Sequence, residues 1–369
     1  MKKIVYGLTT LMFLSLLLFS FIKNTARQAS DLAVIAYYSG NSKTIDNYAV
    51  EKLTHIIYSF CHLDGNRLKV DDANDSATIK KLVSLKKKNP RLKVLLSLGG
   101  WGGCKTCSPV FSSEKGRKEF AASVKEVNSY FGTDGIDLDW EYPAIEGHPG
   151  HEYRDEDRPN FTALVKELRK SLGKQHELTF AAGGFLKFLE ESIEWREVMA
   201  EVDYVNLMSY DLINGYSTVT GHHTALYPNP QQAVSADHAI SWLDSIGVPL
   251  SKVVIGAAFY ARTWENVEDT NNGLYQAGKF KSSVPYRVFG ERLSTGQGYT
   301  FHHDTISKAT HAYNAATKTF ATFDDPRSVA EKTRYAKRRG LKGIMFWELT
   351  LDSPTDGLLD VIDRTKKEK

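Results

Sequence analysis

Cysteine is scarce in this sequence. Its 369 residues include three cysteines, Cys61, Cys104 and Cys107, too few for a fold that depends on disulfide bonds. Cys104 and Cys107 form a C-x-x-C pair, but the sequence has no second pair that would complete a zinc site. Because the pair follows the glycine-rich residues 99–103, we interpret it as a local disulfide that stiffens a loop. We interpret Cys61 as a small, buried apolar residue.

A strong charge of either sign is also lacking. The chain has 47 Lys and Arg residues against 44 Asp and Glu residues, a net charge of +3, and no basic run is interleaved with aromatic residues. Nucleic acid is therefore not an expected partner. No internal repeat or low-complexity linker appears. The 18 Tyr, 18 Phe and 6 Trp residues suit a carbohydrate-binding groove, but a large core would need many aromatic residues too.

The amino-terminal residues are typical of an export signal. Lys2 and Lys3 precede an apolar stretch over residues 4–22, and polar residues follow it. This stretch is long for a cleaved signal and has no clear A-x-A cleavage site, so residues 1–29 are either a signal peptide or an uncleaved membrane anchor. We expect residues 30–369, the body of the chain, to lie outside the cytoplasm. Apart from that possible anchor, no membrane partner is expected.

Short apolar runs alternate with segments of helical periodicity along the body of the chain. This alternation is typical of a parallel sheet with crossover helices. Candidate strands cover residues 34–38, 55–60, 94–98, 135–139, 178–182, 204–208, 253–259 and 343–346. Ser112 and Ser113 are placed to cap one of the helices, and Gly340 is placed to end another. Eight strands with helices between them predict an α/β fold of the (β/α)8 TIM-barrel type.

One segment interrupts this rhythm. Residues 265–323 are rich in Gly, Tyr, Ser and Thr and contain only short alternating patterns. The segment is too long for an ordinary loop between a strand and a helix. We therefore predict a small α+β insertion at residues 266–322, between barrel strands seven and eight.

The strongest chemical signal lies at residues 134–143, which read DGIDLDWEYP. Asp137, Asp139 and Glu141 lie two residues apart, and a strand points such residues to one face in steps of about 7 Å. Like charges at that range raise each other's pKa, which suits a general acid that must hold its proton near neutral pH. A solvated strand face fits less well because apolar residues alternate with the acids. A metal site fits less well because the run lacks the glycine of a calcium loop.

The spacing D-G-x-D-x-D-x-E, followed by Tyr-Pro, resembles the signature of family 18 glycoside hydrolases, the chitinase family. Segments at the ends of other predicted strands resemble the same family: Tyr37-Tyr38, residues 58–60, S-x-G-G at 97–100, Met-Ser-Tyr-Asp at 208–211, Tyr-x-Arg at 260–262 and Trp-Glu at 347–348. Active sites of such barrels lie at the carboxyl ends of the strands. Each segment alone is a weak signal, but together they extend the resemblance over nearly the whole body of the chain.

The resemblance implies a chitinase that cleaves β-1,4 linkages between N-acetylglucosamine units, with retention of configuration and with help from the substrate's own acetamido group. Glu141 would be the general acid and then the general base. Asp139 would bind the acetamido N–H, and Asp137 would pair with Asp139 and share a proton with it. Tyr210 would donate to the acetamido oxygen. The resemblance implies neither a metal ion nor an organic cofactor.

The same resemblance implies a set of sugar-binding residues. Trp347 would form the floor beneath the sugar on the non-reducing side of the scissile bond. The implied substrate-binding residues are Tyr37, Phe60, Gly100, Trp101, Tyr142, Met208, Asp211, Tyr260, Arg262 and Trp347. The chain departs from many animal chitinases at Asn41, where they carry a tryptophan. The pairs His222-His223 and His302-His303 match no family motif, and we interpret them as solvated loop residues.

Three functions are compatible with these residues. The first is an endo-acting chitinase whose partners are chitin or chito-oligosaccharides. The second is an endo-β-N-acetylglucosaminidase that trims N-glycans, which the predicted insertion and the Trp347 segment disfavour. The third is a chitin-binding lectin without catalysis, which the intact Glu141 disfavours.

Overall fold

The structure is a computed structural model that describes residues 32–368. The predicted signal peptide or anchor at residues 1–29 lies outside this range. Between residues 32 and 368, no helix is both long and apolar enough to cross a membrane.

Eight parallel strands form a closed barrel, as the sequence predicted. They are β1 (Ala33–Tyr38), β2 (His55–Asp64), β4 (Lys93–Gly99), β5 (Gly135–Asp139), β6 (Glu177–Gly183), β7 (Tyr204–Met208), β8 (Val253–Ala258) and β14 (Gly343–Trp347). Neighbours in the sheet follow the order β1-β14-β8-β7-β6-β5-β4-β2, and the pairing of β1 with β2 closes the ring. The second strand runs four residues past its predicted end and pairs there with the short antiparallel strand β3 (Arg67–Lys69).

Helices cover the outside of the barrel, except for a short helix at residues 289–292, which belongs to the segment between β8 and β14. They are α1 (Ala73–Ser84), α2 (Cys107–Phe111), α3 (Glu114–Phe131), α4 (Asp157–Leu172), α5 (Trp195–Glu201), α6 (Ala236–Ser245), α7 (Phe289–Arg292), α8 (Pro326–Arg339) and α9 (Leu358–Lys366). Ser113 caps α3 by accepting from the amide of Gly116, as predicted. Gly340 ends α8 in a left-handed conformation, after three basic residues in the last turn.

The alternation of side chains on β5 places the acids inside the barrel. Ile136, Leu138 and Trp140 belong to the apolar layer between the strands and the helices. Asp137 and Asp139, between them, are also buried, and they point to the opposite face because alternate residues of a strand face opposite sides. The barrel interior at this level is therefore polar.

A second sheet interrupts the barrel between β8 and β14, so the predicted insertion is confirmed. Its strands are β9 (Tyr260–Glu265), β10 (Lys279–Pro285), β11 (Thr300–Asp304), β12 (Ala309–Asn314) and β13 (Thr319–Phe323). They pair in the order β10-β9-β13-β12-β11, all antiparallel. Only Phe259 separates β8 from β9. The second sheet therefore starts directly at the carboxyl end of a barrel strand.

The three cysteines are disposed as the sequence indicated. Cys104 and Cys107 are joined by a disulfide bond, which closes the loop between β4 and α2. Cys61 is a buried free thiol.

Candidate active site

The carboxyl ends of β4 and β5 meet through two glycines. The amide of Gly100 donates to the carbonyl oxygen of Asp139 at 2.8 Å. Gly99 and Gly100 both have positive φ, at 111° and 77°. A Cβ at Gly99 would lie 2.2 Å from the Asp139 carbonyl oxygen, and one at Gly100 would lie 2.3 Å from the ring of Phe60. Both positions therefore require glycine for space as well as for backbone conformation.

Asp137 is the deepest of the three acids, and four donors from four different barrel strands surround it. Its Oδ2 accepts from the Tyr37 hydroxyl at 3.0 Å and from the Ser97 hydroxyl at 2.9 Å. Its Oδ1 accepts from the Thr179 hydroxyl at 2.6 Å and from the Asn206 amide at 3.1 Å. Burial raises the pKa of Asp137, and these four hydrogen bonds oppose that effect.

Asp139 has no comparable set of donors. Its side chain is buried, and Oδ1 has no hydrogen-bond partner. Burial, followed by the charges of Glu141 and Asp137, raises the pKa of Asp139 well above its usual range. The predicted hydrogen bond between Asp137 and Asp139 does not form, because other donors occupy both oxygens of Asp137. Asp139, a residue of the cleft lining, thus has one buried acceptor oxygen without a donor.

Glu141 follows β5 and is half-buried. The pKa of Glu141 is raised to about 7. Burial is the main cause, a hydrogen bond with Tyr142 opposes it, and the charge of Asp211 adds to it. A carboxyl group with this pKa is present in both protonation states near neutral pH. It can therefore give up a proton and take one back without a large change in free energy.

Tyr210 and Tyr260 line the same cleft as Asp139 and Glu141. Burial raises the pKa of both phenols well above the usual value, so both keep their protons. Their rings meet edge to face, with centroids 6.3 Å apart. The Tyr210 hydroxyl lies 3.8 Å from the sulfur of Met345, a weak acceptor, so its proton remains available to a stronger one.

Asp211 and Arg262 form a two-pronged ion pair at the wall of the cleft. Nε of Arg262 donates to Oδ1 of Asp211 at 2.7 Å, and Nη2 donates to Oδ2 at 2.5 Å. Although burial opposes ionisation, the hydrogen bonds and the charge of the Arg262 guanidinium help to hold the pKa of Asp211 well below its usual range. The guanidinium also lies over the ring of Tyr260, 5.2 Å from its centroid.

Aromatic rings line both ends of the site. At one end Trp347 stacks on Phe60, with centroids 5.5 Å apart and planes 17° apart, and it lies 5.7 Å from the ring of Tyr37. At the other end Trp101, which is 47% exposed, lies 6.3 Å from the ring of Tyr216. Flat exposed rings of this kind bind the apolar faces of sugars.

These groups border one cleft of about 1070 Å³. The predicted site residues that line it are Phe60, Trp101, Asp139, Glu141, Tyr142, Met208, Tyr210, Asp211, Tyr260, Arg262 and Trp347. The remaining predicted residues do not line the cleft but contact residues that do or that lie beside them; they are Tyr37, Gly100 and Asp137.

Several lining residues were not predicted. They include Glu146, Phe185, Lys187, Tyr216, Phe280 and Ser283, which come from loops or from the second sheet, where no motif marks them. Tyr216 had a signal in the sequence, since this aromatic residue follows Asn214-Gly215 shortly after the Met-Ser-Tyr-Asp segment. Phe280 had none, because only the pairing of β10 with β9 brings it to the cleft.

The interpretation of His222 and His223 as solvated residues is wrong. Both side chains are fully buried, because the second sheet covers the loop that carries them. Nε2 of His222 lies 3.1 Å from Oδ2 of Asp304, on β11, and the backbone N–H of His223 donates to the Thr322 hydroxyl, on β13.

Comparison with known proteins gives consistent results. Residues 33–352 match the model of the glycosyl hydrolases family 18. Chitinase A1 of Niallia circulans is 33% identical over 79% of this chain, but the chain spans only 46% of that protein. A family 18 N-acetylglucosaminidase from Paenibacillus barengoltzii superposes with a TM-score of 0.83 at 33% identity, over 90% of this chain and 99% of that one. Chitinase ChiA74 of Bacillus thuringiensis gives 0.85 at 27% identity, over 91% and 69% of the two chains.

Proposed function

Because this chain belongs to the glycosyl hydrolases of family 18, we propose that it is a chitinase that hydrolyses β-1,4 linkages between N-acetylglucosamine units. The observation that carries this proposal is the pairing of two different acids in one aromatic cleft. Glu141 has a pKa of about 7, and neighbouring Asp139 has an acceptor oxygen without a partner. The first suits proton transfer to a leaving oxygen, and the second suits an acetamido N–H.

In the proposed first step the acetamido oxygen of the substrate attacks the anomeric carbon while the bond to the leaving oxygen breaks. Glu141 gives its proton to that oxygen. The product of this step is a cyclic oxazolinium-like ion. Water then attacks the same carbon, the ring opens, and Glu141 takes the proton from the water. Two inversions at one carbon retain its configuration.

Asp139 and Tyr210 hold the acetamido group in line for this attack. Oδ1 of Asp139 accepts the N–H, and the negative charge of the carboxylate stabilises the positive charge that develops on the acetamido group. The Tyr210 hydroxyl donates to the acetamido oxygen, a contact that fixes the attacking atom at little entropic cost during the reaction. Asp137, held by four donors, lies deeper on the same strand and fixes the polar surroundings behind Asp139.

The sugar on the non-reducing side of the scissile bond stacks on Trp347, with Tyr37 and Phe60 behind that ring. Met208, Tyr260 and the pair of Asp211 and Arg262 form the wall beside it. On the reducing side Trp101 and Tyr142 offer further ring faces, and Tyr216 adds one that no motif marks. Chitin or a chito-oligosaccharide is therefore the proposed partner.

We further propose that residues 30–369 form the catalytic body and that residues 1–29 direct it out of the cytoplasm, as a signal peptide or an anchor. An insoluble extracellular polymer as substrate supports this assignment, since an enzyme must leave the cell to reach it.

A second candidate is the release of single N-acetylglucosamine units. One family 18 protein that the present chain matches over almost its whole length is called an N-acetylglucosaminidase. The residues proposed to act at the scissile bond would be the same in both cases. The two candidates differ only in how many sugars bind on each side of that bond.

Mass spectrometry of the products separates these possibilities. The full chain is incubated with chitin hexaose and, separately, with a high-mannose glycopeptide, with Glu141→Gln as the inactive control. Release of di- and trisaccharides from the hexaose alone supports a chitinase, and stepwise release of monosaccharide supports the second candidate. Cleavage of the glycopeptide alone would overturn both in favour of N-glycan trimming, and binding of the hexaose without cleavage would make the protein a lectin.

A further inference from the structure

His223, in the loop between β7 and α6, has no part in the proposed chemistry, yet it touches the site from behind. None of its side-chain surface is exposed. Its Nδ1 lies 3.4 Å from the backbone nitrogen of Asp211 and 3.4 Å from Oδ1 of the same residue. Asp211 lines the cleft. The imidazole thus contacts a cleft residue from the protein interior.

The direction of this hydrogen bond fixes the proton on the ring. The backbone N–H of Asp211 can only donate, so Nδ1 of His223 accepts. We assign the proton of the neutral ring to Nε2 for this reason, and Nε2 has no partner. An unpaired buried donor is costly and rare.

The ring is held rigidly from the second sheet. The backbone N–H of His223 donates to the Thr322 hydroxyl at 3.2 Å, and its carbonyl oxygen accepts from the amide of Leu212 at 3.0 Å. The imidazole also packs against the ring of Tyr260, with centroids 5.4 Å apart. Tyr260 lies on β9 and Thr322 lies on β13, and these two strands are paired, so both contacts come from one sheet.

Four ionisable groups face the imidazole. They are Asp211 on the loop after β7, Tyr260 and Arg262 on β9, and Asp324 directly after β13. Burial is the largest effect and lowers the pKa of His223, Asp211 and Asp324 oppose it, and Arg262 adds to it. A lowered pKa favours the neutral ring, the only state in which Nδ1 accepts a hydrogen bond such as the one from the backbone N–H of Asp211.

Asp211 needs such a support because its backbone is in an unfavourable conformation. Its φ is 53°, in the left-handed region that residues with a side chain rarely adopt. This conformation accompanies the alignment of its carboxylate with Arg262. The charge of Asp211 is also one of the causes of the raised pKa of Glu141.

We propose that His223 is a positioning residue for the hydrolase, whose neutral imidazole holds the backbone of Asp211 so that the Asp211 carboxylate stays on Arg262 and at the cleft. The inference rests on the proposed function, since it gives Asp211 a part in sugar binding. His223 acts only through Asp211. It belongs to the loop between β7 and α6, beneath the second sheet.

Two variants separate the acceptor atom from the packing of the ring. His223→Phe keeps a planar ring and loses the acceptor, whereas His223→Asn loses the ring and can place an oxygen near the position of Nδ1. We expect His223→Phe to lower kcat/KM on chitin hexaose about tenfold, the factor that one ordinary hydrogen bond supplies, mainly by raising KM. The alkaline limb of its pH profile should move to lower pH, because the charge of Asp211 moves away from Glu141. His223→Asn should recover most of both effects.

A second test uses the wild-type protein alone. It depends neither on catalytic activity nor on whether a variant folds. In ¹⁵N NMR spectra of the histidine rings, His223 should be the Nε2–H tautomer and should not titrate between about pH 5 and about pH 8. This result is independent of the substrate, so a protein that hydrolyses no chitin would refute the proposed function and leave the NMR test standing.

Several results would overturn the positioning role. One is a His223→Phe variant with the KM and pH profile of the wild type. Another is a His223→Asn variant as impaired as His223→Phe with no movement of the pH limb, which would reduce His223 to a packing residue. A ring that titrates in this pH range, or that carries its proton on Nδ1, would refute the assigned hydrogen bond.

Discussion

Nζ of Lys332 lies 2.7 Å from Oδ2 of Asp324, and neither side chain has any exposed surface. The same oxygen accepts from the Thr224 hydroxyl and from the amide of Ala258, both at 2.9 Å. The Ser328 hydroxyl donates to the other oxygen at 2.7 Å. One buried carboxylate therefore joins helix α8, the end of barrel strand β8 and the loop that carries the buried histidines.

Removal of the cation should destabilise the protein strongly. Lys332→Met leaves the charge of Asp324 buried without its counter-ion, and we expect a loss of about 3–5 kcal/mol in the free energy of unfolding. Urea denaturation measures this loss. The matched control is the double variant Lys332→Met with Asp324→Asn, which removes the charge as well and should recover part of the stability. A single variant as stable as the wild type would show that the pair contributes nothing.

The pH dependence of hydrolysis should follow Glu141. Its pKa is raised to about 7, so the protonated form that serves as the acid is present below that pH and is lost above it. We expect kcat/KM to fall about tenfold per pH unit well above pH 7, since only the protonated fraction reacts. Glu141→Gln should lose at least about a hundredfold in kcat and still bind chitin hexaose in calorimetry. Loss of binding together with turnover would instead make Glu141 a structural residue.

The Asp139 carboxyl should lower the free energy of unfolding at neutral pH, although activity requires it. Burial raises its pKa well above the usual range, so ionisation of this carboxyl opposes folding at neutral pH. The sign follows from linkage: stability is greatest below the pKa of the unfolded chain and falls as the pH rises toward the folded pKa. Asp139→Asn removes this cost and should raise the free energy of unfolding by about 1 kcal/mol at pH 7, while it abolishes most activity.

Thermal unfolding of both proteins at pH 7 and near pH 3.5 tests this expectation. The gain of Asp139→Asn should shrink at the lower pH, where the wild-type carboxyl is protonated in the folded chain and largely in the unfolded one. A variant that is less stable than the wild type at pH 7 would contradict the expected cost of the buried acid.

Gly100→Ala should disturb the floor of the cleft. The new methyl group would lie 2.3 Å from the ring of Phe60, and Phe60 stacks on Trp347. We expect KM to rise roughly fivefold, in line with the displacement of a stacked ring worth about 1 kcal/mol. The control is Gly247→Ala, which has a similar positive φ of 83° and open space around it. Equal effects of the two variants on KM would attribute the change to backbone strain alone.

Much of the fold follows from local sequence patterns. The eight barrel strands were predicted close to their observed bounds because each is a short apolar run with its own flanking turn signals. The three acids were found because they lie two residues apart on one strand, and a strand fixes which face such residues share. The insertion was recognised by its length and composition alone.

The contacts between side chains far apart in the sequence depend on how the barrel closes and how the second sheet packs on it. Asp137 has its donors on β1, β4, β6 and β7, and Tyr37 is 100 residues away from it along the chain. These contacts, rather than a pair with Asp139, set its environment. In the same way His223 was misjudged as solvated, because its burial depends on Thr322, 99 residues later. The sequence by itself determined which acids share a face and how many strands the barrel has, since both depend on neighbouring residues. Only the tertiary structure decided which side chains pair and which histidine is buried, because those outcomes depend on distances between segments far apart in the chain.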